Sequence, residues 1–370
     1  MSFNSFRKAW SSLFFKTFFI INTLAIVIMA AVGNVDKVNP IAHPVLSTLH
    51  LCFPIILGFN LFFLVFWVFV RIRTIWLPVL GLLLCYVPIR KYAPFNPYKL
   101  QPQTGIKVLS YNVYLFASWE FAKDERNPIV DYILKSKSDL VCLQEAPVRA
   151  LNKADLSALK AQYAYVDIID NLQPGSKNMI FLSRFPILQR EEIKYQSEGN
   201  MSMAYLVDIN GVQTLVVNNH FESFHLNSED KSDYKKILNG DLQMGDSKKE
   251  TMRLLHKLGD ATARRAPQAE KVAAYVRTYT DRRIPVILCG DFNDTSLSYV
   301  HRTIGKTLND CFIASGNGLG ISYHQSGMFF RIDHIFCSSD FVSKITEVDS
   351  SIDKSDHYPI FTWLKYQPKP

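Results

Sequence analysis

Two long uncharged apolar runs near the start of this 370-residue chain, Thr17–Val35 and Val45–Val70, constrain its fold before any other feature does. Runs of this length are too apolar for a half-buried strand or a surface helix. They close their backbone hydrogen bonds internally as helices, and about 20 such residues cross a bilayer core. A third run, Ile75–Ile89, is shorter and carries Pro78 and Pro88. The expected organisation is a membrane-spanning region over 1–90, with spans near 17–35, 45–70 and 75–89, in a multi-pass integral membrane protein. A cleaved signal peptide is the alternative for the first run, since Arg7, Lys8 and Lys16 precede it and Met29–Gly33 is rich in small residues. The second run would still hold the protein in the membrane.

Charge divides the chain at the same place. Of 41 Lys and Arg residues, nine lie in the first 100 positions (Arg7, Lys8, Lys16, Lys37, Arg71, Arg73, Arg90, Lys91 and Lys99), against one of the 33 acids, Asp36. Residues 101–370 therefore hold 32 of each sign, and the formal +8 belongs to the front segment. A domain-wide basic face for nucleic acid is disfavoured. With the N-terminus in the cytoplasm, Arg7, Lys8, Lys16, Arg71 and Arg73 lie inside and Lys37, Arg90, Lys91 and Lys99 outside, a slight bias in the positive-inside sense. Three crossings then put residues 101–370 outside the cytoplasm, the expected location; two would leave them inside. Cysteine implies no disulfide framework: Cys52 and Cys85 lie in the apolar segments, Cys142, Cys289 and Cys337 in strand-like runs, and only Cys311 looks free to pair.

Pro94, Pro97 and Pro102 mark residues 91–105 as a linker, followed by one domain over 106–367. Short β-branched runs recur there at Ile106–Asn112, Asp139–Gln144, Asn178–Ser183, Ala204–Ile209, Thr214–Asn219, Pro285–Cys289, Ile332–Cys337 and Pro359–Leu364. Helical patterns fall at Pro128–Lys135, Ser228–Leu238 and Lys248–Thr280. This mixture predicts an α/β (α+β) sandwich with two sheets inside and helices outside. The polar stretch His225–Arg265 reads as a surface helix pair, with a lid or substrate-selecting insertion as the alternative.

Chemistry concentrates where strand-like runs meet turns. Glu145 ends LVCLQE, Asn112 ends KVLSYN, and Asp356 lies in SDHYP; each offers oxygen to a divalent cation such as Mg²⁺ or Mn²⁺. Asp291 and Asn293 follow the strand PVILCGD two residues apart, placed to deprotonate water and to donate to a developing phosphoryl charge. An Asx turn is the bland alternative for that motif. Asp333 and His334 close RIDH, and His357 follows Asp356. Asp333 is expected to pair with His357, fixing its tautomer and raising its pKa, which leaves Asp356 for the metal. His220, in VVNNHF, supplies a further imidazole.

These words, in this order, resemble the endonuclease/exonuclease/phosphatase superfamily of DNase I-like hydrolases over roughly Ile106–Lys365. The resemblance places Asn112, Glu145 and Asp356 at the metal, and Asn178, in KNMIFLSRFP, and His220 on the phosphate. Asp291 falls on the general base, Asn293 on the phosphate-stabilising Asn, and Asp333 with His357 on the supporting Asp and catalytic His. Arg264 or Arg265, with Gln268, matches an R-x-x-Q helix. It implies a four-layered α/β sandwich, in-line attack of water and no covalent enzyme intermediate. NNH in place of NTH and the long insertion after His220 depart from the pattern, and the insertion bears on substrate choice.

The expected activity is a membrane-anchored, Mg²⁺-dependent phosphodiesterase or phosphatase on a phosphoester, a lipid headgroup or small phosphoester, with lipid suggested by the bilayer partner alone. A membrane-tethered nuclease is the alternative, less favoured because a neutral domain lacks the basic face that duplex DNA rewards. A non-catalytic binding protein of the same fold is the third reading, opposed by the intact set of reacting groups.

Overall fold

The computed structural model describes residues 3–97, 104–120, 125–170, 177–224, 226–239, 244–325 and 327–367. Its front region holds α1 (Phe3–Gly33), α2 (Pro44–Ser47), α3 (Phe53–Val70), α4 (Trp76–Leu84) and α5 (Tyr86–Tyr92). Two segments are long and apolar enough to cross a membrane, Leu13–Lys37 and Pro44–Val70. The pair α4 and α5, bent by 64°, counts as a third only if taken as one broken span. The break follows from Pro88, whose ring would strike the carbonyl of Leu84, where α4 stops. The span expected over 45–70 is present as Pro44–Val70, though its helix is divided. Pro44–Cys52 makes two short helical turns, and the long helix starts at Phe53 with Pro54 in its first turn, where no donor is lost.

These helices run alongside one another over their length. Trp67 Nε1 donates to Asn22 Oδ1 at 2.9 Å and Asn60 Nδ2 to the Ala25 carbonyl at 3.2 Å, setting α3 antiparallel to α1. The third segment follows α1 in the same direction. Trp76 meets Phe19, Gly81 packs on Ile26, Pro88 on Gly33, and Lys91 Nζ reaches Asp36 at 2.7 Å.

The remainder contains twelve strands among the described residues. β1 (Ile106–Asn112), β2 (Leu140–Gln144), β3 (Tyr165–Asp170), β4 (Asn178–Ser183), β11 (Phe341–Val348) and β12 (Ile360–Tyr366) form one sheet in the order β11-β12-β1-β2-β4-β3. β5 (Ile187–Glu192), β6 (Met201–Ile209), β7 (Val212–His220), β8 (Val286–Asp291), β9 (Asn309–Asp310) and β10 (Asp333–Cys337) form the other, in the order β5-β6-β7-β8-β10-β9. The inner faces interdigitate Val108, Leu140 and Phe181 with Tyr205, Val216 and Ile287, and Phe181 stacks on Tyr205 at 4.3 Å between centroids. The outer face of the first sheet is covered by α6 (Pro128–Ser136) and α7 (Lys153–Gln162). That of the second is covered by α9 (Met244–Thr280) and α10 (Tyr299–Ile304). These are the four layers anticipated from the sequence.

One sequence expectation changes and another holds. Cys311, which opens the short helix α11 (Cys311–Ser315), is buried with its Sγ 3.6 Å from that of Cys337, so it is not available to an outside thiol. The polar stretch after His220 is a helix pair, α8 (Ser228–Asn239) against the first half of α9, clasped by Asp230 on Lys257 and by Asp233 on Arg253 at 2.6 Å. Leu254 and Leu258 are buried beneath it. A Cβ on Gly259 would come within 2.9 Å of the Pro44 carbonyl carbon, so α9 lies directly against the turn that joins α1 to α3. Residue 225 falls outside the described residues.

A buried polar group beside α10 sets an expected pH response. His301 Nε2 pairs with Asp310 Oδ2 at 2.7 Å, while Asp310 Oδ1 caps α11 through the N–H of Ile313 and His334 Nδ1 lies 3.6 Å away. Burial pulls the His301 pKa down to about 4 against the opposing pull of Asp310. The unfolded chain takes up that proton near pH 6.5, so the stabilisation is complete above this value and lost as the pH falls toward 4, by roughly 3 kcal/mol. Chemical denaturation of the full chain in micelles between pH 7.5 and 4.5 should show this fall, and His301→Gln should flatten it. Equal slopes for both proteins would contradict the assignment.

Candidate active site

The topology delivers polar residues to one mouth. β1 and β2 are parallel and end together at Asn112 and Gln144; β7 and β8 are parallel and end together at His220 and Asp291. β10 runs antiparallel to β8, so its first residue, Asp333, lies opposite Asp291. β12 runs antiparallel to β1, and Ser355, just before it, donates to the Asn112 carbonyl at 2.7 Å, which brings Asp356 and His357 to the same edge.

Seven of the nine residues expected at the site form one continuous set of side-chain contacts. Asn112 Nδ2 donates to Glu145 Oε1 at 3.1 Å and to Asp291 Oδ2 at 3.0 Å. His220 Nε2 stands 3.7 Å from both Glu145 Oε1 and Asp291 Oδ2, and His357 Nε2 is 3.7 Å from Asp291 Oδ2. His357 Nδ1 bonds Asp333 Oδ2 at 2.7 Å, the pairing read from the sequence. The Asn293 backbone N–H donates to Asp291 Oδ1 at 2.7 Å, and its side-chain amide donates to the Phe221 carbonyl at 3.0 Å and to Asp291 Oδ2 at 3.3 Å. Asp356 joins this group electrostatically through His357 and Asp291. Asn178 opens β4, and its carbonyl accepts the N–H of Ala146, one residue past Glu145.

Local backbone strain collects here. Glu145 and Asn293 have φ of 49° and 50°, and Tyr114, Leu115, Phe116 and Ala117 form a left-handed turn with φ between 41° and 57°. Such residues cost roughly 1–2 kcal/mol each when not glycine. The turn is held by Tyr114 N–H on Asn112 Oδ1 at 3.1 Å, by Leu115 N–H on the Glu145 carbonyl at 2.9 Å, and by complete burial of Phe116. It leaves Tyr114 and Leu115 partly exposed at the mouth, with Trp119 edge-on to Tyr114.

Electrostatics separates the groups. Burial raises the Asp291 carboxyl above its ordinary value, with His357 opposing. Burial alone would depress the His357 imidazole, and the carboxylates of Asp333 and Asp291 override it and hold the pKa well above the usual histidine value. Asp333 Oδ1, Asp356 Oδ1 and His220 Nε2 are buried without hydrogen-bond partners. Several carboxylates around one space, with orphaned oxygens, make an arrangement that a divalent cation would neutralise. Asp291, Asp333 and His357 lie close enough together to be such a group. The acidic and histidine side chains here can therefore hold a metal. Asn112 turns its amide nitrogen toward the carboxylates, because Tyr114 N–H occupies its oxygen.

Behind this set, the sequence left open which arginine gives support and missed His50 altogether. Arg265, not Arg264, is the buried member of the R-x-x-Q helix: Nη1 donates to the Glu222 carbonyl at 2.9 Å and Nε lies 3.3 Å from Asp294 Oδ2, whereas Arg264 reaches out to Glu198. Gln268 receives the N–H of Glu222 at 2.9 Å. His50, from the turn between α1 and α3, meets Asp294 and Thr295. A histidine in an otherwise apolar run was the one available signal.

Residues 15–92 match a domain of unknown function. A comparison with curated proteins finds no match. Among solved structures, the human Nocturnin catalytic domain, solved with a bound sulfate anion, is similar at 16% identity with a TM-score of 0.52, covering 71% of this chain and 94% of that one. Truncated TDP2 of Caenorhabditis elegans is matched at 16% identity, TM-score 0.49, over 70% and 97%. A family protein of Bacteroides thetaiotaomicron is matched at 19%, TM-score 0.48, over 72% and 100%. The Nocturnin likeness is one of fold. Residues 109–357, most of the chain, match the Endonuclease/Exonuclease/phosphatase family, and the chain belongs to that family of phosphoester hydrolases.

Proposed function

We propose that the protein is a membrane-anchored, Mg²⁺-dependent hydrolase, with Mn²⁺ able to substitute, acting on a phosphoester presented at the membrane surface, such as a lipid headgroup. The observation that carries this reading is the single contact network joining Asn112, Glu145, His220, Asp291, Asn293, Asp333 and His357. Glu145 and Asp356 would hold the cation, with Asn112, expected as a third ligand, instead orienting the Glu145 carboxylate through its amide N–H, and the cation when bound would supply charge neutralisation at the phosphoryl and leaving oxygens. Asp291, its pKa lifted by burial, accepts the proton of the attacking water. His357, kept protonated by Asp333, His220 and Asn178 donate to the non-bridging oxygens. The second N–H of Asn293 rests on Asp291 at 3.3 Å, the weak end of hydrogen bonding, and transfers to the phosphoryl group as charge develops.

The membrane-surface substrate is supported by proximity. Leu297 is buried among Met29, Val32, Phe53 and Cys85 of the apolar helices, and it lies four residues from Asn293. At about 3.6 Å per residue, the site is within roughly 15 Å of that bundle. The exposed Tyr114, Leu115 and Trp119 give the mouth an apolar lip. Three crossings are supported by the parallel course of the third segment beside α1, and by contacts of both the 36–50 turn and Lys91–Asn96 with the catalytic domain. Arg331 donates to the Lys91 carbonyl at 2.6 Å, and Asn96 Nδ2 bonds the Gly316 carbonyl at 2.5 Å. With the N-terminus inside, the catalytic domain lies outside the cytoplasm.

The test is to assay the full chain in nanodiscs with Mg²⁺ against phosphoinositides, sphingomyelin, small phosphodiesters and nucleic acid. Release of headgroup or phosphate from a lipid is expected. Dominant nucleic-acid cleavage would replace this reading with a membrane-tethered nuclease, and turnover of none of them would favour a binding protein.

A further inference from the structure

The loop that leaves β8 with the reacting groups is fastened at its far end by the membrane region. Asp291 and Asn293 are followed at once by Asp294, Thr295 and Leu297, and each of these three is engaged by the front segment. His50 Nδ1 shares a 2.9 Å hydrogen bond with the Thr295 hydroxyl, and its Nε2 stands 3.1 Å from Asp294 Oδ1. Leu297 sits in the apolar cluster with Met29, Val32, Phe53 and Cys85. All three polar partners are out of solvent: His50 is 2% exposed, Asp294 0% and Thr295 8%.

Asp294 is a junction. Arg265 approaches Oδ2 at 3.3 Å, the Thr295 N–H donates to Oδ1 at 3.0 Å, and His334 Nε2 donates to the Asp294 carbonyl at 3.0 Å. Burial pushes its carboxyl pKa up, and Arg265 and His50 together bring it below the ordinary value, so the group is an anion held from two sides. One of those sides belongs to the catalytic domain and the other to the turn between the first two apolar helices. That turn is itself braced from behind, because α9 meets Pro44 at Gly259. Asn293, one residue before Asp294, has a left-handed backbone that a loosened loop would not retain.

We infer that His50 is a positioning residue for the catalytic loop, so that the membrane region completes the active site instead of only anchoring it. His50 touches neither the reacting groups nor the space between them; it acts through Asp294 and Thr295 on the placement of Asn293. Displacements of about 1 Å at a reacting centre cost up to about a hundredfold in rate.

The kinetic arm of the test rests on the hydrolase reading, and a second arm does not. In the full chain in nanodiscs, His50→Ala should lower kcat by about ten- to a hundredfold with KM within about twofold, and His50→Gln, which retains a donor and an acceptor, should recover most of it. Thr295→Val should give a smaller loss in the same parameter. Independently of any substrate, hydrogen–deuterium exchange of residues 292–298 should quicken in His50→Ala and return toward wild type in His50→Gln. If His50→Ala does not accumulate as folded protein, Thr295→Val and His50→Gln carry both readouts. Faster exchange with no turnover of any phosphoester by the wild type would uphold the strut and remove the hydrolase reading. Unchanged exchange in the 292–298 segment with unchanged kcat would overturn the inference.

Discussion

Asp291→Asn should lower the proposed Mg²⁺-dependent hydrolysis by about 10²–10⁴-fold while leaving the domain folded. Among the described residues, the carboxylate is the only group in contact with the imidazoles of both His220 and His357, at 3.7 Å from each, and it is also bonded by Asn112 and Asn293. An amide there cannot accept a proton from water. On stability, two terms oppose. Burial penalises the ionised Asp291, so neutralising it is favourable, whereas placing an N–H opposite Asn112 Nδ2 forfeits one hydrogen bond, about 0.5–1.5 kcal/mol net. The thermal midpoint should therefore move little in either direction. Activity retained within a few fold would remove Asp291 from its assigned role, and loss of folded protein would show that its part is structural.

Gly290→Ala should abolish accumulation of folded protein. Gly290 has φ of 139°, a conformation closed to L side chains, and an added Cβ would lie 1.9 Å from the Asn219 carbonyl oxygen. The obstacle is backbone of the adjacent parallel strand, paired Asn219 to Gly290, and cannot swing aside as a side chain would. Relief requires separating β7 from β8 where His220 and Asp291 are aligned, so strain and lost pairing add, to roughly 3 kcal/mol or more. The measurement is the yield of monodisperse protein after extraction, with the denaturation midpoint of whatever folds. A wild-type yield and midpoint would mean that the two strands lie farther apart than described.

The parts of this architecture legible in the sequence are those that burial dictates. The eight strands anticipated are all interior to their sheets. The four missed, β3, β5, β9 and β11, are the four sheet edges. Edge strands tolerate polarity: β5 reads ILQREE with four of its residues exposed, and no apolar period marks it. The site was legible because each word borders an interior strand, ending β1, β2, β7 or β8 or opening β4, β10 or β12, and strand order and direction then bring those ends to one edge. What stayed hidden depends on contacts between distant segments. The His50 contact joins positions 245 apart, and the choice of Arg265 over Arg264 is decided by which helix face meets Glu222. Nothing in YLFA foretells a left-handed turn, since the residues that hold it, Asn112 and Glu145, belong to two different strand ends.

Anomalous diffraction from crystals of the protein grown with Mn²⁺ tests the central claim most directly. One peak should appear about 2.1 Å from a carboxylate oxygen of Glu145, in the space bounded by Asp291, Asp356 and the two imidazoles. No peak there, together with hydrolysis that persists in excess chelator, would contradict the account.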